Sequence, residues 1–194
     1  MLYRNATVED IPKIEELQKK YHVSFISDED KKSGFVTTLF TREQLTELIE
    51  TEDGIAIACD GDVIAAYAMA ASWEYWSKWP LFQYMITDLQ TVTYAGQTLS
   101  TTNSYQYGPV CIDMAYRGQG VLQDLFLFSA RQMSKRYPIL ITFINHLNPR
   151  SFTAHTKKVG LDVIKDFSFN GNNYYELGFE TAKAHNEKTA GSPA

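Results

Sequence analysis

The chain has 194 residues, and several features are scarce or missing from it. It has two cysteines, Cys59 and Cys111, enough for one bridge at most; reduced, buried thiols in a cytosolic protein are the plainer reading. Positive charge is in deficit, with 18 Lys+Arg against 23 Asp+Glu and a formal net charge of −5. That argues against a nucleic-acid binder held by phosphate neutralisation. The longest stretch without a polar side chain, counting Tyr67 as apolar, is Val63–Ala71. A membrane-spanning helix needs about 20 apolar residues, so no membrane association is expected. The first residues, Met1-Leu2-Tyr3-Arg4-Asn5, lack the basic-then-apolar order of a signal peptide, which points to the cytoplasm. His22, His146, His155 and His185 and the two cysteines show neither CxxC nor HxxxH spacing, so no metal site is expected. There is no Gly-x-Ser-x-Gly elbow for a hydrolase, and no internal repeat.

The chain is rich in aromatic residues, at 13%, with 12 Tyr, 11 Phe and 3 Trp. Trp73, Trp76 and Trp79 fall together, alongside Tyr75, Phe82 and Tyr84. Elsewhere the pattern is regular. A short strand over 2–5 precedes a helix from Thr7, with Thr7 as cap, Glu9 and Asp10 at the positive end of the dipole, and Pro12 near the first turn. Ile11, Ile14, Leu17 and Tyr21 recur on one face of it. Thr41-Arg42-Glu43-Gln44 is a capping box opening a second helix. A hairpin follows, with strands over 55–59 and 63–71 joined at Asp60-Gly61. Residues 73–103 cannot be parsed from pattern alone. Regular structure resumes with a strand over 105–113, a loop over 114–120 and a helix to about Arg136. A doubly covered strand over 138–144, a helix over 148–159 and a hairpin turning at Asn170-Gly171 complete the chain. The order β α α β β, insert, β α β α β β predicts a single α/β (α+β) domain over 1–180 with an aromatic insert at 73–104 and a flexible tail at 181–194.

The segment with chemical content is Val110-Cys111-Ile112-Asp113-Met114-Ala115-Tyr116-Arg117-Gly118-Gln119-Gly120-Val121-Leu122. A strand leads into a two-glycine loop that opens a helix. Glycines let a backbone approach a ligand, and the uncommitted amides and dipole of a first helical turn favour an anion. Gln123 stands where the dinucleotide fingerprint needs its third glycine, and the Gly-Lys-Ser/Thr of the Walker loop is missing.

This loop resembles the pyrophosphate loop of the GNAT superfamily of acyl-CoA-dependent N-acetyltransferases, Gln/Arg-x-x-Gly-x-Gly/Ala. Arg117 and Gly120 match, and Leu122 stands where the final Gly or Ala is usual. A second stretch, Asn148-Pro149-Arg150-Ser151-Phe152-Thr153-Ala154-His155 followed by Lys158-Val159-Gly160-Leu161, is similar to the family's Asn-x-x-Ser/Ala…Tyr/His…Gly-Phe segment. The resemblance implies a mixed sheet flanked by helices and splayed between its fourth and fifth strands, with acetyl-CoA in the opening. Val110, Cys111 and Ile112 would face the pantetheine arm and thioester. Arg117, Gly118, Gln119, Gly120, Val121 and Leu122 would hold the pyrophosphate, and Asn148 and Ser151 would contact the pantetheine or phosphate region. An acetyl group would pass directly to a primary amine of a small molecule or peptide. A non-catalytic acyl-CoA-binding or regulatory module on the same fold is the alternative. The family's acid is often a tyrosine. Counting from Asn148 puts His155 in that place, and counting back from Gly160 puts Thr156 there. Asp113 is the first candidate for the base. Tyr105 and Tyr107 would line the acceptor site or the core, and the insert would line the pocket, pack its own core or form the surface of a homodimer.

Overall fold

The structure, a computed structural model, describes residues 1–27, 29 and 34–186. Its elements are strands β1 (Leu2–Asn5), β2 (Ile55–Asp60), β3 (Val63–Ala71), β4 (Thr93–Tyr94), β5 (Gln97–Thr98), β6 (Ser104–Ile112), β7 (Ile139–Asn145), β8 (Asp162–Phe169) and β9 (Asn172–Glu180). The helices are α1 (Ile11–Tyr21), α2 (Arg42–Glu52), α3 (Trp73–Trp76), α4 (Pro80–Asp88), α5 (Val121–Met133) and α6 (Pro149–Thr153). Seven strands form one mixed sheet in the order β1-β2-β3-β6-β7-β9-β8, and β4 and β5 pair separately. The described chain divides into two compact units, one holding Met1–Ala70 with Gly108–Ser129 and the other Ala71–Tyr107 with residues 130–186. Strand β6 belongs to both, its first half to the second unit and its last half to the first.

In the first unit, helix formation begins differently from the expectation. The Thr7 N–H donates to Asp10 Oδ2 (2.8 Å), and the Arg4 guanidinium grips the same carboxylate at 2.6 and 2.8 Å. This closes a 3-10 turn over Val8–Asp10, and α1 proper starts only at Ile11. The capping box of α2 forms as expected, with the Gln44 N–H donating to Thr41 Oγ1 (3.3 Å) and the Thr41 N–H to Gln44 Oε1 (2.9 Å). The β2–β3 turn is centred one residue later than expected, on Gly61-Asp62, because Asp60 and Val63 pair directly. Gly61 takes φ +57° at the first central position, a conformation costly to side-chain-bearing residues. Both strands are packed with small residues, and Ala56, Ala58, Ala65, Ala66, Ala68 and Ala70 are all buried.

The second unit holds the segment that pattern could not resolve. It forms α3, α4, a 3-10 turn over Leu89–Thr91 and the β4–β5 ribbon. These elements build a core: Trp73, Met85, Leu89, Val92 and Leu99 are buried together with Ile139, Ile141 and Phe167. The aromatic insert therefore covers one face of β7, β8 and β9. Each large apolar side chain so buried contributes about 1.5–3 kcal/mol, which offsets the entropy of ordering these short elements. At its edge Lys165 pairs with Asp88 of α4 and lies 3.6 Å from the buried Glu176 of β9. The β8–β9 turn is the expected Asn170-Gly171, with positive φ at both residues (47° and 75°) and Phe169 paired to Asn172. After Glu180, where a tail was expected, Thr181–His185 form a 3-10 turn tied down by Arg131 Nε, which donates to the Ala184 carbonyl (2.8 Å). Residues 187–194 of the expected tail lie outside the described residues.

The β6–β7 junction bears on the site. The two strands are parallel and pair through Ser104↔Ile139, Tyr105↔Leu140 and Gln106↔Ile141. The next carbonyl, that of Tyr107, accepts instead from side chains, Thr142 Oγ1 (2.6 Å) and Gln106 Nε2 (2.7 Å). Two residues on, Pro109 has no N–H to donate to a ladder. Pairing between the fourth and fifth long strands is thus short, as expected of a sheet that splays there.

Candidate functional site

In the first unit, β6 ends at Ile112 and the chain crosses Asp113 into a 3-10 turn, Met114–Tyr116, before reaching α5. The Asp113 N–H donates to the Ala65 carbonyl of β3 (2.8 Å), which anchors the loop to the sheet. The Asp113 carboxylate caps the turn by accepting from the Ala115 N–H (3.0 Å) and pairs with Lys20 Nζ (2.6 Å). Burial acts to raise the Asp113 carboxyl, but Lys20 and the Ala115 amide outweigh it and hold the group below the usual carboxylate range. Such a carboxylate is a weak base. In this geometry the Asp113 carboxylate caps its own turn and is engaged by Lys20.

Arg117 is likewise fixed, its Nε donating to the Ile112 carbonyl (2.9 Å) and its guanidinium carbon 5.0 Å above the centre of the Tyr21 ring. Tyr21 also accepts the Met114 N–H at its hydroxyl (2.7 Å). Gly118 and Gly120 adopt φ +82° and +83°, and no atom lies within 4 Å of where a Cβ would stand at either. These two glycines answer a backbone requirement, and the face they present is uncovered. The Gly120 carbonyl receives the N–H groups of Gln123 (3.0 Å) and Asp124 (3.2 Å), closing the first turn of α5. The amides before them, at the positive end of a helix of 13 residues, are donors without intrahelical partners. Gln119 is exposed and donates to the Ala115 carbonyl (2.8 Å), Val121 is buried and Leu122 is half-buried. This open, glycine-shaped, amide-lined start of a helix fits an anionic diphosphate. Of the three β6 residues, Val110 and Ile112 are half-buried, whereas Cys111 is buried and its thiol is pushed up to about 12, mainly by burial. Cys59 and Cys111 are unlinked.

In the second unit, Asn148 caps α6, its side chain accepting the Ser151 N–H (3.1 Å). The helix runs only over Pro149–Thr153 and then widens into a π-turn, Ala154–Lys158, closed by the Val159 N–H donating five residues back to the Ala154 carbonyl (3.2 Å). A π-turn holds one residue more than an α-turn. Both positions reached by counting, forward from Asn148 to His155 and back from Gly160 to Thr156, fall within this π-turn. The structure also separates the two candidates. The Thr156 hydroxyl donates to the Phe152 carbonyl (2.8 Å) and is committed to the helix. His155 is buried, with Nδ1 2.8 Å from the Ser151 carbonyl and 3.3 Å from Ser151 Oγ. Burial pushes the imidazole below its ordinary value, against the Ser151 carbonyl, which favours the protonated ring. The ring stands edge-on to Tyr107 with centroids 6.3 Å apart. Tyr105 and Tyr107 are both buried, and Tyr105 also packs against Tyr137. Trp76, buried as well, contacts the rings of Tyr75, Trp79 and Phe82.

The sequence pattern placed Tyr21 on the apolar face of the first helix and gave Lys20 no part. Each reaches across 93 residues to the loop, and nothing local in the sequence signals such a contact. Among the described residues no group of three or more His, Cys, Asp or Glu is placed to hold a metal ion. Nor is any described helix long and apolar enough to cross a membrane.

No family model matches the chain, and no curated protein matches it in sequence. Solved structures do match. An acetyltransferase of the GNAT family from Listeria monocytogenes 4b F2365 aligns with a TM-score of 0.63 at 16% identity, over 92% of this chain and 94% of its own. An N-acetyltransferase from Staphylococcus aureus Mu50 gives 0.61 at 15% identity, covering 93% and 98%. The protein yncA from Salmonella typhimurium, solved with its cofactor acetyl-CoA, gives 0.60 at 12% identity, covering 100% and 97%. At these identities the likeness is one of fold, and the fold is that of the GNAT acetyltransferases.

Proposed function

We propose that the chain is an acetyl-CoA-dependent N-acetyltransferase that moves the acetyl group directly to a primary amine of a small molecule or peptide. One observation carries this reading: the connection from β6 enters α5 through two glycines, Gly118 and Gly120, at positive φ with open space before them. That is what a pyrophosphate needs, close backbone approach and amides aligned with a helix dipole. The fold supports the same reading, as does a solved neighbour that carries acetyl-CoA. In this reading Arg117, Gly118, Gln119, Gly120, Val121 and Leu122 hold the diphosphate, Val110, Cys111 and Ile112 face the pantetheine arm and thioester, and Asn148 and Ser151 contact the pantetheine or phosphate region. The alternative, a module that binds acyl-CoA without transferring it, gains from the engagement of Asp113 with Lys20.

Calorimetric titration with acetyl-CoA tests the reading. Gly120→Val would force a β-branched residue toward a left-handed backbone and misalign the amides. Losing a hydrogen bond to a charged group costs about 1.5–3 kcal/mol, so affinity should fall at least about tenfold. Absence of binding by the native chain, or equal binding by the variant, would sink the proposal. Thiol release with a panel of amines then separates transfer from binding alone.

A further inference from the structure

Of the four buried carboxylates among the described residues, Asp10, Glu52, Asp124 and Glu176, the last is the most deeply buried, at 3% exposed. It stands on β9 between Tyr174 and Gly178, on the face that the insert covers. Tyr174 packs against the core of the insert, and Tyr94 of β4 lies 3.1 Å from where a Cβ would stand on Gly178. On β8, Lys165 lies 3.6 Å from Glu176 and pairs with Asp88 of α4, whose other oxygen accepts from Thr91 Oγ1 (2.9 Å). On β7 the residue opposite Glu176 is Phe143, and α4 also brings Tyr84 near Lys165. The charged groups around Glu176 are therefore Lys165 and Asp88, and one ammonium serves two carboxylates. Burial raises the Glu176 carboxyl above its ordinary value and Asp88 adds to the rise, while Lys165 opposes both. Burial pulls Lys165 down, but Asp88 and Glu176 outweigh it and hold the ammonium above its ordinary value. An apolar residue would fill the place of Glu176 without the cost of a buried charge.

We propose that Glu176 makes the hold of the sheet on the aromatic insert pH-sensitive, with Lys165 as the shared partner. Protonated, Glu176 leaves Lys165 wholly to Asp88, and α4 is held firmly to β8. Ionised, it draws on the same ammonium and repels the Asp88 carboxylate, so α4 loosens as pH rises. The sign follows from linkage. With the insert seated, burial and Asp88 both push the Glu176 carboxyl up. With α4 lifted away, Asp88 leaves, Glu176 regains water and Lys165 is free to pair with it. Each of these changes lowers the pKa of Glu176, so loss of its proton to water favours the lifted state. The whole device lies within the second unit and does not depend on the acetyl-transfer reading.

The test uses the full chain. Carbon-13 NMR of the side-chain carboxyls, assigned by through-bond correlation, reads the midpoint of Glu176. It is expected above about 4.3, the value of an unperturbed glutamate, and a midpoint at or below that value overturns the proposal. Hydrogen exchange of the α4 amides, corrected for its intrinsic pH dependence, is then read against that of β7. Between about pH 4 and 8 the α4 protection should fall, by about tenfold for each unit by which closure raises the midpoint. Protection that stays level or rises with pH contradicts the proposal. Glu176→Gln stands for the protonated form and should keep the acid level of protection throughout. A variant that loses protection with pH as the native chain does would place the sensor elsewhere and overturn the assignment. Asp88→Asn removes the repulsion and frees Lys165, so the Glu176 midpoint should drop. An unmoved midpoint would show that the two carboxylates do not compete, against the proposal. The native and Asp88→Asn measurements stand even if Glu176→Gln does not fold.

Discussion

The two compact units are built from different material. The first lines its strands with alanine, so that Ala58, Ala65, Ala66 and Ala68 are wholly buried and little side-chain volume stands between its backbone layers. Its loop is held by polar groups reaching far along the chain, among them Lys20 to Asp113 and the Tyr21 hydroxyl to the Met114 amide. The second unit fills its interior with Trp73, Trp76, Tyr105, Tyr107 and Phe167, and half-buried rings such as Phe82, Phe143 and Tyr174 pack against that core. Small side chains let backbone layers approach closely, and the loop after β6 is anchored to β3 through the Ala65 carbonyl. Large rings give area, which suits a segment that must pin short helices to a sheet. The aromatic excess of the composition is therefore largely structural. Trp73, Met85, Leu89, Val92 and Leu99 are core residues, which favours the insert as a covering layer with its own small core.

Three substitutions would break or sharpen this contrast. The largest loss is expected for Trp73→Ala, which empties a site only 1% exposed and removes the indole bond to Ser104 Oγ (3.0 Å). Truncating a buried Trp costs about 3–5 kcal/mol. Urea denaturation should show that loss, and hydrogen exchange should quicken within Ala71–Tyr107; a cost below about 1 kcal/mol would mean that the insert is not a core element. Ala66→Leu asks the opposite question of the first unit. With no exposed surface at Ala66, the added carbons must displace neighbours, at about 1–3 kcal/mol. A neutral result would show slack in the alanine strands. The smallest effect belongs to Asp113→Asn, which removes an ion pair with a well-exposed lysine and should cost less than about 1 kcal/mol. Because the folded carboxyl titrates below the unfolded one, its contribution is complete above the unfolded value near about pH 4. The contribution fades as pH falls through the lower folded value, so native and variant stabilities should converge in acid. The transfer rate of this variant should hold. A fall of about 10²-fold would return Asp113 to the role of base.

Much of the frame could be read from local chemistry. Thr41 with Gln44, Asn170 with Gly171, and Gly118 with Gly120 each meet a backbone need within a few residues, and all three appear where the sequence puts them. Pattern could not resolve 73–103, because its helices are short and their apolar residues face a sheet formed by strands 40 or more residues later. Thr7 caps as expected, but what it opens is a 3-10 turn over Val8–Asp10, whose Asp10 carboxylate is also gripped by Arg4, and α1 follows at Ile11.

The sequence by itself determined the turn at Asn170-Gly171, the capped start of α2, and that a glycine loop opens α5, because those properties depend on φ, capping groups and amides set within a few residues. Tertiary structure alone decided what surrounds the titratable side chains. Asp113 pairs with a lysine 93 positions away, and His155 is buried with a carbonyl one helical turn back beside its ring. Charge and desolvation act through space, and the folded chain sets those distances.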